Sequence, residues 1–121
     1  MAEVVRFDPP VQNTRRFLAV DGPVAGVAMK AGAAILVVLA AANHDPSVNP
    51  HSERFDPLRS ERTAFTFGDG PHACPGLALA TAIARAGVDA LLAAGARPER
   101  IRQGLTYRPS SNTRVPALPG L

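Results

Sequence analysis

Phe67-Gly68-Asp69-Gly70-Pro71-His72-Ala73-Cys74-Pro75-Gly76 is the stretch on which the fold turns. It holds the single cysteine of the 121-residue chain inside an F-x-x-G-x-x-x-C-x-G skeleton. Random sequence of this length produces that skeleton on the order of once in a few thousand chains. The glycines and prolines interrupt regular structure. Directly after them, residues 77–94 are rich in Ala and Leu and predict a helix. Leu79, Ile83, Ala86, Ala90 and Leu91 can share one of its faces, and Gly95 suits its C-terminal end. A cysteine just ahead of a helix gains from the dipole and from free backbone N–H groups, both of which favour the thiolate. Gly70 and Gly76 let the backbone turn tightly and approach a flat ligand. Phe67 can pack against the loop and keep water from the sulfur. With one cysteine no intrachain disulfide can form, so Cys74 is a buried structural thiol, a reactive thiol or a metal ligand.

Working upstream, residues 46–66 are rich in Pro, Ser and Arg and read as an ordered loop, long enough to suggest a function. Ile35 to Leu39 is a continuous apolar run suited to a buried strand, followed by a short helix near residues 40–45. Residues 11–40 predict short strands, with turns at Asp21-Gly22-Pro23, Ala25-Gly26 and Lys30-Ala31-Gly32. Residues 1–8 read as the end of a helix stopped by Pro9 and Pro10. Downstream, residues 96–121 predict short extended pieces around Pro109, Pro116 and Pro119. Hydrophobic residues make up 46% and aromatics 5%, so the expected core rests on Ala, Val and Leu. The net charge of +3 is spread over scattered arginines, which points to a soluble surface and away from nucleic acid. The start of the chain has no basic-then-apolar pattern, and the apolar run 31–42 falls short of the ~20 residues that span a bilayer. A cytoplasmic protein with no membrane partner is expected.

Glu3-Val4-Val5-Arg6 forms an E-x-x-R pair well upstream of the cysteine loop, and Ser52-Glu53-Arg54-Phe55-Asp56 lies between the two. In this order, the motifs resemble the C-terminal portion of the cytochromes P450. PPVQNTRR, ILVVLAAANHDP and ERFDPLR look most like soluble bacterial members. The resemblance implies a haem-thiolate monooxygenase that inserts one oxygen atom from dioxygen into a small organic substrate. It would carry haem b (iron protoporphyrin IX) and receive electrons from a ferredoxin or reductase. Cys74 would be the catalytic residue and the axial ligand of the iron, pushing electron density that favours O–O cleavage. Phe67, Gly70, His72 and Gly76 would line the cofactor with it. His72 and Arg16 would meet the haem propionates, with Arg15 in place of Arg16 if the register is one residue off. His44 would be structural. Glu3, Arg6 and Arg54 would form a buried structural network, the planar guanidinium of Arg54 gripping the carboxylate.

The implied fold is an α+β fragment of the mainly-α P450 fold: short β segments, the cysteine loop, then one long helix. Residues 1–121 would be the C-terminal part of the domain, without its N-terminal helices or its central oxygen-activating helix. Such a piece is expected to be inactive alone, with apolar faces exposed. Thr81 and Ile83 depart from the Arg and Glu found there in many bacterial members. Two other readings remain at this level: a small non-catalytic haem-binding module derived from the family, and an unrelated domain with a chance motif.

Overall fold

Proline sets the first boundary. In the computed structural model, which describes residues 1–117, helix α1 (Ala2–Phe7) ends at Asp8, ahead of Pro9 and Pro10. Strand β1 (Thr14–Phe17) pairs antiparallel with β4 (Ala34–Val37), placing Thr14 opposite Val37 and Phe17 opposite Ala34. Between them, β2 (Gly22–Val24) and β3 (Val27–Met29) form a hairpin. Its two-residue connection, Ala25-Gly26, has φ of +48° and +81°. Two successive positive φ values match the twist of the flanking strands, and Gly26 takes its own without strain.

The apolar run at residues 35–39 does not form one buried strand. β4 stops at Val37, and Leu39 opens helix α2 (Leu39–Asn43). The reason is that β4 has one neighbour in a two-stranded ladder, so its side chains alternate and Leu36 is left 56% exposed.

The core also differs from a packed Ala, Val and Leu interior. Among the described residues, Leu39 and Pro9 are the only buried apolar side chains. Glu3, Arg6, Asn43, Asn49, Ser52 and Thr66 are the buried polar ones. The centre is therefore a hydrogen-bonded cluster wrapped by the long loop 44–64. Such clusters persist only when nearly every donor and acceptor is used.

Beyond the cysteine loop, helix α3 (Leu77–Ala93) ends at a glycine, as its sequence predicts. Gly95 has φ +71°, its N–H donates to Leu92 O at 3.0 Å, and Ala96 N–H donates to Leu91 O at 2.9 Å. This pair of bonds satisfies carbonyls that the helix end leaves free. No residue of α3 is buried, and Leu79 and Ile83 are 66% and 64% exposed. Most of the apolar face of α3 is thus uncovered among the described residues.

The segment after α3 is not wholly extended. Pro98 sits in the first turn of helix α4 (Pro98–Gln103), and Gly104 follows its end, a start-and-stop pattern that was present in the sequence. β5 (Thr106–Arg108) and β6 (Val115–Ala117) then form a small antiparallel ladder. Their connecting loop docks on residues 10–13: Gln12 N–H donates to Asn112 O and Arg114 N–H to Pro10 O, both at 2.8 Å. The expectation for Pro119 lies outside the described residues.

Candidate functional site

Two short 3-10 turns, Phe65–Phe67 and Gly70–His72, shape the cysteine loop. Cys74 N–H donates to Phe67 O at 2.7 Å, closing the loop, and Gly76 caps α3 without a side-chain contribution. Cys74 is exposed. A Cβ placed on Gly76 would sit 3.7 Å from Cys74 Sγ, an ordinary contact, so Gly76 keeps space beside the sulfur rather than relieving a clash. Gly70 has φ +54°, with nothing near its missing Cβ.

The glycine with the strictest requirement is Gly68, which the sequence reading did not single out. Its φ of +74° and ψ of −175° fall in a region open essentially to glycine alone. A Cβ there would lie 2.4 Å from the backbone oxygen of His72. Gly68→Ala is therefore expected to cost more than Gly70→Ala. Strain in this region alone costs about 1–3 kcal/mol, and the clash adds to it. Urea denaturation midpoints compare the two variants, and equal losses would contradict the assignment.

Glu3 and Arg6 lie on one face of α1, 3% and 0% exposed. Arg6 donates from Nε to Glu3 Oε2 at 2.9 Å and from Nη2 to Glu3 Oε1 at 2.7 Å. Its three remaining donors reach the main-chain oxygens of Asn43, Ser52 and Arg54 at 3.0–3.1 Å. All five N–H groups of the guanidinium are used. Glu3 also accepts from Arg62 Nε at 2.9 Å and from Asp56 N–H at 3.1 Å. The Arg6 hydrogen bonds hold the Glu3 carboxyl well below the usual carboxylate range. Arg62, the Asp56 N–H and the charge of Arg6 reinforce this, while burial opposes it.

The expected third member, Arg54, does not join through its side chain. Its guanidinium is 73% exposed beside Glu53, at 3.6 Å, and only its carbonyl enters the cluster. Arg62 takes the place, with Arg59 Nε 3.5 Å from Glu3 Oε1. The long loop turns back on itself, so residues three positions apart, Arg59 and Arg62, converge on one carboxylate. No local period in the sequence reveals that.

The remaining candidates scatter. Arg16 is half-buried on β1 and donates to Thr14 Oγ1 at 3.1 Å and Arg15 O at 2.9 Å, while Arg15 points outward. His72 is exposed. His44 Nε2 lies 2.8 Å from Phe7 O, with its ring 5.4 Å from that of Phe7.

A cleft of about 630 Å³ opens beside Cys74, bordered among others by Val5, Phe67, Ala73, Leu77 and Ala80. Its size falls in the range of ~300–1,000 Å³ common for small-molecule sites, and its lining is mainly apolar. Arg16 and His72 do not border it. Among the described residues, no group of three or more His, Cys, Asp or Glu could hold a metal ion. A metal at Cys74 would receive one sulfur from the protein and must bring its other ligands with it. That donor set fits an iron macrocycle.

The sequence profile described as Cytochrome P450 matches residues 1–93. The chain belongs to the cytochrome P450 family. It is 44% identical over 87 residues to cytochrome P450 140 of Mycobacterium tuberculosis, covering 71% of this chain and 20% of that protein. It is 36% identical over 90 residues to the biotin biosynthesis cytochrome P450 of Bacillus subtilis, covering 74% of this chain and 23% of the relative. The chain thus spans about a fifth of the length of these P450 relatives. Among solved structures, the hydroxylase HmtN superposes with a TM-score of 0.84 at 32% identity, over 96% of this chain and 31% of that one. The strands, cysteine loop and long helix are therefore a portion of the P450 fold. No helix among the described residues is long and apolar enough to cross a membrane.

Proposed function

We propose that residues 1–121 are the C-terminal, thiolate-bearing part of a P450 monooxygenase domain, with Cys74 the axial ligand of haem b. The observation that carries this reading is an exposed cysteine sulfur at an apolar cleft, on a loop tied to a buried ion network. When bound, the haem supplies dioxygen activation and insertion of one oxygen atom into a small organic substrate. The chain's own residues do simpler things. Gly68 and the Phe67 carbonyl shape the loop, Phe67 and Leu77 line the cleft, and Gly76 leaves room beside the sulfur. Arg16 and His72 are assigned to the propionates, which need cationic or hydrogen-bonding partners. The surroundings are cytoplasmic, and a ferredoxin or reductase supplies electrons.

The test is a haemin titration of the purified chain, with substrate turnover measured alongside. Saturable uptake of one haem per chain is expected. Turnover is expected to be negligible, because Cys74 is exposed and nothing among the described residues closes over it. Absence of uptake would overturn the ligand assignment, and appreciable hydroxylation by the chain alone would overturn its assignment as an inactive part.

A second reading, a small non-catalytic haem-binding module, has one observation in its favour. All five N–H groups of Arg6 and both carboxylate oxygens of Glu3 are satisfied by residues of this short stretch. Both readings expect uptake by the chain alone, so complementation separates them. Hydroxylation that appears once the rest of a P450 domain is supplied as a second polypeptide supports the monooxygenase part, and stable uptake with no hydroxylation on that addition supports the module.

A further inference from the structure

Asn43 ends α2 with its side chain fully buried, yet it belongs to neither the ion network's charges nor the cysteine loop. Its amide is used at both ends. Oδ1 accepts Phe65 N–H at 2.7 Å, while Nδ2 donates to Thr66 Oγ1 at 2.9 Å and to Val5 O at 3.3 Å. Its main-chain oxygen accepts from Arg6 Nη1 and from Asn49 Nδ2, each at 3.1 Å. One residue therefore joins α1, α2 and the turn Phe65–Phe67. The last carbonyl of that turn, Phe67 O, is the acceptor of Cys74 N–H at 2.7 Å. Hydrogen bonds thus run from Arg6 through Asn43 and Phe65–Phe67 to the cysteine.

We propose that Asn43 is a positioning residue for Cys74, its side-chain amide fixing the turn 65–67 and, through the Phe67 carbonyl, the place of the sulfur. The position needs an acceptor and two donors at the end of a short side chain. Asp lacks the donors, Leu lacks both, and Ser is shorter by one branch point. Asn49 provides an internal comparison. It too is fully buried, but its amide holds Asn43 O and both main-chain groups of Thr63, and does not touch residues 65–67.

Amide hydrogen exchange of the full chain tests the assignment. Asn43→Ala is expected to speed exchange at Phe65 and Cys74 on the order of tenfold or more, as loss of buried hydrogen bonds implies. The β1–β4 ladder should be unchanged. Thr66→Val, which removes one partner, should speed the same two amides by a smaller factor, and Asn49→Ala should leave them alone. If Asn43→Ala does not fold, the contrast of Thr66→Val with Asn49→Ala decides. Acceleration at Phe65 without Cys74, or equal acceleration in Asn49→Ala, would overturn the proposal. A second readout rests on the haem-thiolate reading: the thiolate-ligated fraction of the reduced carbon-monoxide spectrum should fall in Asn43→Ala and Thr66→Val but hold in Asn49→Ala. A wild-type chain that takes up no haem would count against that reading alone, and the exchange comparison would still decide the role of Asn43.

Discussion

Cys74→Ser is expected to abolish the thiolate-type reduced carbon-monoxide spectrum of the haem-loaded chain while leaving its fold intact. A serine hydroxyl is not a thiolate at neutral pH and does not replace sulfur as a soft ligand. The bond that closes the loop runs from the backbone of Cys74 to Phe67 O, so it survives the substitution. The side chain at 74 is exposed, so the change in stability should stay within about 0.5 kcal/mol, as for surface substitutions. Absorption spectra and urea midpoints measured on the same preparations separate the two effects. A thiolate spectrum that persists in the variant is impossible to reconcile with a chain holding one cysteine. A spectrum of another type, equal in both proteins, would assign the ligand elsewhere.

Arg6→Ala should be the most damaging substitution to the fold. It strips the buried Glu3 carboxylate of its bidentate partner, leaves the Ser52 oxygen without its donor, and takes one of two donors from each of the Asn43 and Arg54 oxygens. Removing one partner of a buried pair costs about 3–5 kcal/mol. Total stabilities of domains are about 5–15 kcal/mol, so the loss is expected to remove most of the stability of a chain at the low end of that range. Arg54→Ala, which removes an exposed side chain, should be nearly neutral. Equal urea midpoints for the two variants would contradict the network as described.

The same carboxylate predicts an acid response. Glu3 is held below the ordinary value in the folded chain, chiefly by the Arg6 hydrogen bonds, and regains about 4.3 when unfolded. The folded state therefore binds that proton less readily than the unfolded state. The contribution is fully present above about pH 4.3 and declines as the pH falls towards the folded value. Urea midpoints should drop between pH 5 and pH 3, and Glu3→Gln should flatten that part of the profile. An unchanged slope in Glu3→Gln would show that other carboxylates cause the drop.

Local chemistry made much of this chain legible. Pro9-Pro10 ended α1, Ala25-Gly26 turned the β2–β3 hairpin, and Gly95 closed α3, because each acts through its own φ angles or its missing N–H. The cysteine loop was equally readable, since its spacing and the helix that follows are contiguous in sequence. Pro98 and Gly104 carry the same kind of signal for α4, against the extended pieces that Pro109 and Pro116 suggest for the same stretch.

The sequence by itself determined the ends of α1 and α3, the β2–β3 turn, the family, and Cys74 as the candidate ligand. All of these are set by residues within a few positions of one another. Only the tertiary structure decided which cations meet Glu3, that Gly68 rather than Gly70 meets a backbone wall, and that Asn43 ties the network to the cysteine. Glu3 and Arg62 are 59 residues apart and Asn43 and Phe65 are 22 apart, so their meeting depends on the path of an irregular loop. Such a loop has no period. Its course is fixed by buried hydrogen bonds that must nearly all be satisfied together, and that constraint becomes visible only once the backbone has closed around them.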